Sequence, residues 1–347
     1  MSVHLPPPAW FDPTLAALLE RRDLNGIQVC ELMHGLLGGS CGDVETAALL
    51  VAWNMKGETA EELAAAAAVL REHMVLLDLG LDDVLDTCGT GGDGRGTFNI
   101  STATAFVVAA AGVPVVKHGN RAVSSRGSGS ADVLAALGLQ LHDSPHRARA
   151  SFDRTGMAFC HAPHFHPAMR HVGPVRSRLR FRTLFNCLGP LANPAGASYH
   201  LLGVGRLEWL DRMAGALARL QKGHAFLVCG SDGLDEVTLS GPTFVRAVHD
   251  GEVSAHEWTP ADFGLPVCSP ESLRAADAKE SAAIIHSVLS GKEGPPLHVV
   301  LANAAAALHV AGRAANLVDG VEQARHTIAS GAAARLLADV VACSQDE

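Results

Sequence analysis

Between residue 13 and about residue 75, apolar side chains recur at i, i+3 and i+4, with no two-residue alternation. That period predicts four helices and no strand, carried by "DPTLAALLERRDL", "NGIQVCELMHGLLGG", "DVETAALLVAWNMKG" and "TAEELAAAAAVLREHM". Gly38, Gly39 and Gly57 punctuate the helices, and Thr59 with Glu62 forms a capping box. From about residue 82 the pattern changes. Short apolar runs ("DVLDTC", "VPVVKHG", "MAFCHA", "HLLGVG", "HAFLVCG") read as strands, and "STATAFVVAAAG", "SADVLAALG" and "RLEWLDRMAGALARLQKG" read as helices between them. Strands that alternate with helices pair in parallel, so an α/β sheet is expected. Residues 236–259 read as short antiparallel β. The remainder reads as helix, in "SLRAADAKESAAIIHSVLSG", "PLHVVLANAAAALHVAG" and "LVDGVEQARHTIASGAAARLLADVV".

A chain of 347 residues has room for about two domains. Its 48% hydrophobic and 18% charged content is that of an ordinary soluble globular protein. The net charge of -9, without any Lys/Arg run, argues against non-specific binding to nucleic acid or to an anionic membrane. The eight cysteines form no C-x-x-C pair, which removes the zinc ribbon and the thioredoxin-like site and fits a reducing compartment. The start "MSVHLPPPAW" has no basic segment followed by an apolar core, and apolar runs such as 103–116 are too short and too interrupted to span a bilayer. The expected location is the cytoplasm.

The densest chemistry lies in "DTCGTGGDGRGTFNIS", residues 86–101. Five glycines (Gly89, Gly91, Gly92, Gly94, Gly96) let backbone amides approach an anion and form a concave nest. Asn99, Ser101 and Thr102 then open a helix whose N-terminus favours the same anion. "GTGGDG" satisfies G-x-G-x-x-G, but Lys117 stands where a dinucleotide fold needs an acid, and no Gly-Lys-Ser/Thr follows for a Walker A loop. Asp93 would repel a bare phosphate. It makes sense beside a hydroxyl or a magnesium-neutralised polyphosphate, so a phosphosugar with bound Mg²⁺ is the expected ligand.

Other stretches add parts. "KHGNR" (117–121) puts two cations at the C-terminal end of a strand, where open α/β sheets bind ligands. "SSRGSGSAD" (124–132) supplies hydroxyls and a helix start suited to a terminal phosphate. Asp235 and Glu236, adjacent acids on a loop after a strand, are the hard oxygen donors Mg²⁺ prefers. Four histidines fall between residues 161 and 171, but their spacing matches no zinc site, and His171 is expected to be exposed. Arg170, Arg176, Arg178, Arg180 and Arg182 are dense enough for one of them to clamp an acidic substrate, the rest being solvated. These parts point to transfer from a magnesium-bound phosphosugar to an acidic acceptor.

In order, "GTGGDG", "NIST", "KHGNR", "SGSADVL", "HPAM", "RTLFNCLGPLANP" and "DGLDE" resemble the anthranilate phosphoribosyltransferase family, over nearly the whole chain. The resemblance implies that anthranilate and phosphoribosyl pyrophosphate give phosphoribosyl-anthranilate and pyrophosphate, in tryptophan biosynthesis, with Mg²⁺ and in a homodimer. It implies a small helical domain, 1–78 with a contribution from about 172–195, hinged to a large α/β domain, 79–347, with a mostly parallel sheet. By motif match, Gly89, Gly92, Asp93, Thr97, Asn99, Ile100, Ser101, Thr102, Lys117, Arg121, Ser124, Ser125 and Ser130 hold phosphoribosyl pyrophosphate. Ser101, Asp235 and Glu236 hold Mg²⁺. Asn120 and Arg176 hold anthranilate, with Gly89, His118, His166, Gly189 and Pro190 along its path. Lys117 and Asp93 are the catalytic candidates.

The chain departs from the family pattern in three places. The 124–132 turn is one residue longer, Arg180-Phe181 stands where Gly-Ile is usual, and His298 stands where Asp is frequent. Individual motifs are shared with pyrimidine nucleoside phosphorylases, which are normally longer and lack the "DGLDE" acids in this role. A non-catalytic nucleic-acid-binding relative would show a basic surface and broken sugar-phosphate motifs.

Overall fold

The computed structural model describes residues 7–121, 128–141, 144–220 and 223–345. The four expected N-terminal helices are α1 (Phe11–Leu19), α2 (Gly26–Gly38), α3 (Asp43–Lys56) and α4 (Ala60–Glu72). Asn25 with Gln28, and Thr59 with Glu62, close capping boxes at the starts of α2 and α4. Glu62 does more than cap. It is fully buried, and its carboxylate accepts from the backbone N–H of Leu24, the indole of Trp53 and the ammonium of Lys56. One capping residue thus ties α4 to α3 and to the turn before α2.

Seven strands form one sheet: β1 (Leu85–Asp86), β2 (Val115–Gly119), β3 (Met157–His161), β4 (Tyr199–Gly203), β5 (His224–Gly230), β6 (Thr243–His249) and β7 (Glu252–Trp258). Their order is β3-β2-β1-β4-β5-β6-β7. The first five pair in parallel, and β6 and β7 add an antiparallel edge. The antiparallel segment expected over 236–259 is therefore confined to 243–258, with a loop before it. Because β2 and β4 flank β1, the chain leaves β1 toward one side and returns on the other. Such a reversal opens a crevice at the C-terminal ends of the strands.

One apolar cluster covers a face of the sheet with the helices Ile100–Ala110 and Pro295–Val310, the latter buried almost all round. On the other side, a second cluster joins α1–α4, the helix Leu207–Leu220 and side chains from Val172 to Ala192. Two elements differ from the sequence expectation. The helix Pro145–Thr155, capped by Ser144, buries only Ala148 and Phe152, too few apolar positions to show a period. The single helix expected over 317–341 is broken: Leu317–Ala329 and Ala332–Gln345 meet at 63°, with Gly331 between them in the left-handed region. Among the described residues, no single helix is long and apolar enough to cross a membrane.

Candidate active site

A cleft of about 610 Å³ opens at the C-terminal ends of β1, β2 and β5. Its first wall is the loop after β1. Gly91, Gly92, Gly94 and Gly96 all have positive φ, between 62° and 72°, where a Cβ is strained. The loop is held at both ends. The Thr90 N–H donates to the Gly203 carbonyl at 2.8 Å, and the Gly96 carbonyl accepts from Ala275 at 2.9 Å. Between these anchors, the Arg182 guanidinium donates to the carbonyls of Thr90 and Gly91 while lying over the Trp209 ring. With its carbonyls engaged behind, the loop leaves amides to meet an anion.

The helix Ile100–Ala110 begins beside this loop without a side-chain cap, because the Asn99 side chain is engaged with Ser128 and Ser281. Lys117 is almost fully buried. Its ammonium donates to the Thr87 carbonyl (3.2 Å), the Thr87 hydroxyl (3.3 Å) and the Ser101 hydroxyl (3.2 Å), which brings β2, β1 and the helix start to one point. The Ser101 N–H donates to Glu236 Oε1 at 3.0 Å.

Three carboxylates gather here. Burial and the neighbouring Asp93 push Asp235 above the ordinary carboxylate range, and burial and Asp235 push Glu236 well above it. The approach is close because two glycines allow it. A Cβ at Gly203 would lie 1.6 Å from the Asp235 carbonyl, and one at Gly89 would lie 3.2 Å from an Asp235 carboxylate oxygen. A set of hard oxygens that repel one another at neutral pH fits a divalent cation such as Mg²⁺.

The opposite end has another character. His118 Nδ1 lies 3.1 Å from the Gly189 carbonyl, so Nδ1 carries the proton. Its buried Nε2 has no partner among the described residues. Burial and then His166 push His118 down to about 3, and burial pushes His166 down to about 4, so both rings are neutral at pH 7. The rings meet edge-on at 5.0 Å. Arg176 lies over the Phe185 ring at 5.2 Å, and burial lowers it to about 10. Among the described residues no carboxylate pairs with it.

The cleft is lined by Gly89, Gly92, Asp93, Thr97, Asn99, Ile100, Ser101, Lys117, Arg121 and Ser130 toward the glycine loop. His118, Asn120, His166, Arg176, Gly189 and Pro190 line the other end, and Asp235 and Glu236 line its floor. Thr102 stands apart: it is fully buried, does not line the cleft, and its N–H is spent on the Asn99 carbonyl. Ser124 and Ser125 lie outside the described residues.

Two family models match, the glycosyl transferase family helical bundle domain over residues 13–74 and the glycosyl transferase family a/b domain over 81–334. Among curated proteins, the chain is 47% identical over 320 residues to the anthranilate phosphoribosyltransferase of Nitrosomonas eutropha, covering 92% of this chain and 94% of that one. The chain belongs to the anthranilate phosphoribosyltransferase family. Two solved family members extend the likeness to three dimensions. The Thermus thermophilus enzyme has a TM-score of 0.88 at 42% identity, over 96% of this chain and 99% of that one. The Saccharomyces cerevisiae enzyme, solved in complex with PRPP and Mg, has a TM-score of 0.86 at 28% identity, over 97% of this chain and 99% of that one.

Arg180 ends the helix Gly173–Leu179 with φ 57°, a left-handed cap that a glycine would adopt without strain. The five arginines also separate. Arg176 and Arg182 are half-buried and line the cleft; Arg170 lines it from an exposed position; Arg178 pairs with Asp43; Arg180 is exposed. His171 is exposed as expected. Sequence reasoning gave no site role to Asp86 or Asn193, and named Arg182 only as one of five candidate clamps, not as the residue that holds the glycine loop. The signal available for Arg182 was its place directly before "TLFNCLGPLANP". For Asp86 it was an acid at the end of an apolar strand, a position that burial makes unfavourable unless it is paired.

Proposed function

We propose that the chain transfers the phosphoribosyl group of phosphoribosyl pyrophosphate to the amine of anthranilate, releasing pyrophosphate, as a step of tryptophan biosynthesis. The observation that carries this reading is the polarity of one cleft. Amides, Lys117 and three carboxylates occupy one end, and a guanidinium with no carboxylate partner among the described residues, beside neutral rings, occupies the other. The first end suits a cation-bound polyphosphate, and the second suits a small aromatic carboxylate.

In this reading the glycine-loop amides, Asn99, Ser101, Arg121, Ser124, Ser125 and Ser130 bind phosphoribosyl pyrophosphate, and Asp93 accepts from a ribose hydroxyl or helps to hold the cation. Asp235, Glu236 and Ser101 hold Mg²⁺, which when bound neutralises charge on the pyrophosphate. Arg176 takes the anthranilate carboxylate bidentately, and Asn120, His118, His166, Gly189 and Pro190 orient the ring. The amine lone pair forms the new bond to the anomeric carbon while the bond to the pyrophosphate oxygen breaks, and the amine then gives up a proton to the departing pyrophosphate. Lys117 and the loop amides stabilise the charge that grows on pyrophosphate, and holding both substrates in line supplies the remainder of the rate. Closure of the helical domain (1–78 with about 172–195) on the α/β domain (79–347) would exclude water from the sugar cation. A homodimer and a cytoplasmic location belong to the same reading.

The test is an assay with anthranilate, phosphoribosyl pyrophosphate and Mg²⁺. Anthranilate fluorescence should fall, with one pyrophosphate released per anthranilate lost. No loss of fluorescence, or phosphorolysis of a pyrimidine nucleoside instead, would overturn the reading.

A further inference from the structure

Asp86 is the last residue of β1, is fully buried, and does not line the cleft. The β1–β2 ladder holds only one register pair, Leu85 with Val115. Beyond that pair the Asp86 carboxylate spans the opening. Its Oδ1 accepts from the N–H of Cys88 at 3.0 Å, where the glycine loop begins, and from the N–H of His118 at 3.2 Å, beyond Lys117 on β2. Its Oδ2 accepts from Asn193 Nδ2 at 2.7 Å. Asn193 is itself buried. It also donates to the Val116 carbonyl at 2.8 Å and accepts from the N–H of Ala195 at 2.8 Å. The carboxylate thus joins the glycine loop, the strand that carries Lys117 and the segment that follows Gly189-Pro190. Burial pushes Asp86 up to about 6, and the charge of Lys117 pulls it back more than any hydrogen bond does. The two amides that it fixes belong to the residues after Thr87 and after Lys117, and Thr87 and Lys117 are hydrogen-bonded to each other. The donors on both oxygens offset part of the cost of burying this acid.

We infer that Asp86 is a positioning residue for phosphoribosyl transfer. Without touching substrate, it holds the Lys117 ammonium in register for the pyrophosphate group, with Asn193 aiming its carboxylate. Lys117 itself spends its hydrogen bonds on Thr87 and Ser101, neutral groups that cannot balance its charge. Glu236 meets that charge from the cleft, and Asp86 meets it from outside the cleft lining. The inference rests on the reading that Lys117 meets pyrophosphate.

A double-mutant cycle on binding tests it, with inorganic pyrophosphate and Mg²⁺ as the titrant in calorimetry and turnover measured alongside. Wild type should bind pyrophosphate and Lys117→Met should bind it more weakly; failure of either overturns the site reading itself, not only this inference. Asp86→Asn should weaken pyrophosphate about tenfold and lower kcat by at least as much, with the KM for anthranilate changed less than threefold. In the Lys117→Met background the same Asp86→Asn change should alter pyrophosphate affinity by less than twofold, because the residue through which it acts is gone. Equal tenfold losses in both backgrounds, or no loss in a folded Asp86→Asn protein, would overturn the inference. If Asp86→Asn does not fold, Asn193→Ala carries the test, since it keeps the charge but removes the donor that aims it. It should weaken pyrophosphate about threefold in wild type and not in Lys117→Met; unchanged binding, or the same loss in both, would overturn the inference.

Discussion

The two ends of the cleft are built in different ways. The end proposed here for phosphate is mostly backbone and contiguous sequence: a glycine loop, the helix start that follows it, and one lysine three strand positions into β2. The end proposed for the acceptor is built mostly of side chains drawn from distant segments. His118 comes from β2, His166 from the end of the short helix Ala162–Phe165, and Arg176 from a seven-residue helix, while Gly189 offers its carbonyl from a 3₁₀ turn. Backbone recognition suits a phosphate, whose oxygens accept from any amide. Recognition of an aromatic acid needs a fixed guanidinium and apolar walls, which no short motif supplies. The charge balance differs too. The phosphate end holds three carboxylates that repel one another, whereas the acceptor end holds a cation with no counter-charge among the described residues and two rings kept neutral by burial.

Variants that strike one end at a time sharpen this contrast. The largest effect is expected from Asp235→Asn with Glu236→Gln, which should lower turnover by about a thousandfold or more through loss of the cation site, with circular dichroism and melting showing a folded protein. A double variant that kept full, Mg²⁺-dependent activity would remove the cation from this end.

A smaller and more selective loss is expected from Arg176→Ala. Removing one charge-assisted hydrogen-bonding group costs about 1.5–3 kcal/mol, roughly tenfold to a hundredfold in affinity. Steady-state kinetics should place that loss in the KM for anthranilate and leave the KM for phosphoribosyl pyrophosphate nearly unchanged. An unchanged anthranilate KM would point to Arg170, the exposed arginine on the same wall.

The smallest effect concerns stability. Asp235 titrates above its unfolded value, so its favourable contribution is complete in acid and is lost as pH rises toward neutrality. In Mg²⁺-free buffer, Asp235→Asn should therefore melt above wild type at pH 8, and the difference should shrink toward pH 4. Added Mg²⁺ should stabilise wild type more than the variant. A variant less stable than wild type at pH 8 without Mg²⁺ would mean that the acids do not repel one another in the free protein.

The same contrast explains what could be read from the sequence. The four N-terminal helices and the parallel strands were legible because a 3.6-residue period and short apolar runs are local signals. The glycine loop, Lys117 and the Asp235–Glu236 pair were legible because each is a short motif with its chemistry on its surface. Arg182 was not. Its role depends on a carbonyl-lined loop some ninety residues away, and among five arginines sequence cannot tell which one folds back. Asp86 and Asn193 were missed for a related reason, since their work lies beneath the cleft, in bonds between segments 107 residues apart. The bend at Gly331 was hidden because the apolar period resumes after it, and the helix Pro145–Thr155 because it buries two side chains only. Thr102 shows the limit of a motif. It adjoins Ser101 in "NIST", yet one step along a helix turns it from the cleft into the core.

If both ends serve one ternary complex, calorimetric titration of anthranilate with and without a non-reactive phosphoribosyl pyrophosphate analogue and Mg²⁺ should show the two ligands coupled. Anthranilate should bind more tightly when the analogue is present, and by linkage the analogue should gain the same factor from anthranilate. Mutually exclusive binding, or affinities identical in both orders, would contradict an account in which the two ends act together.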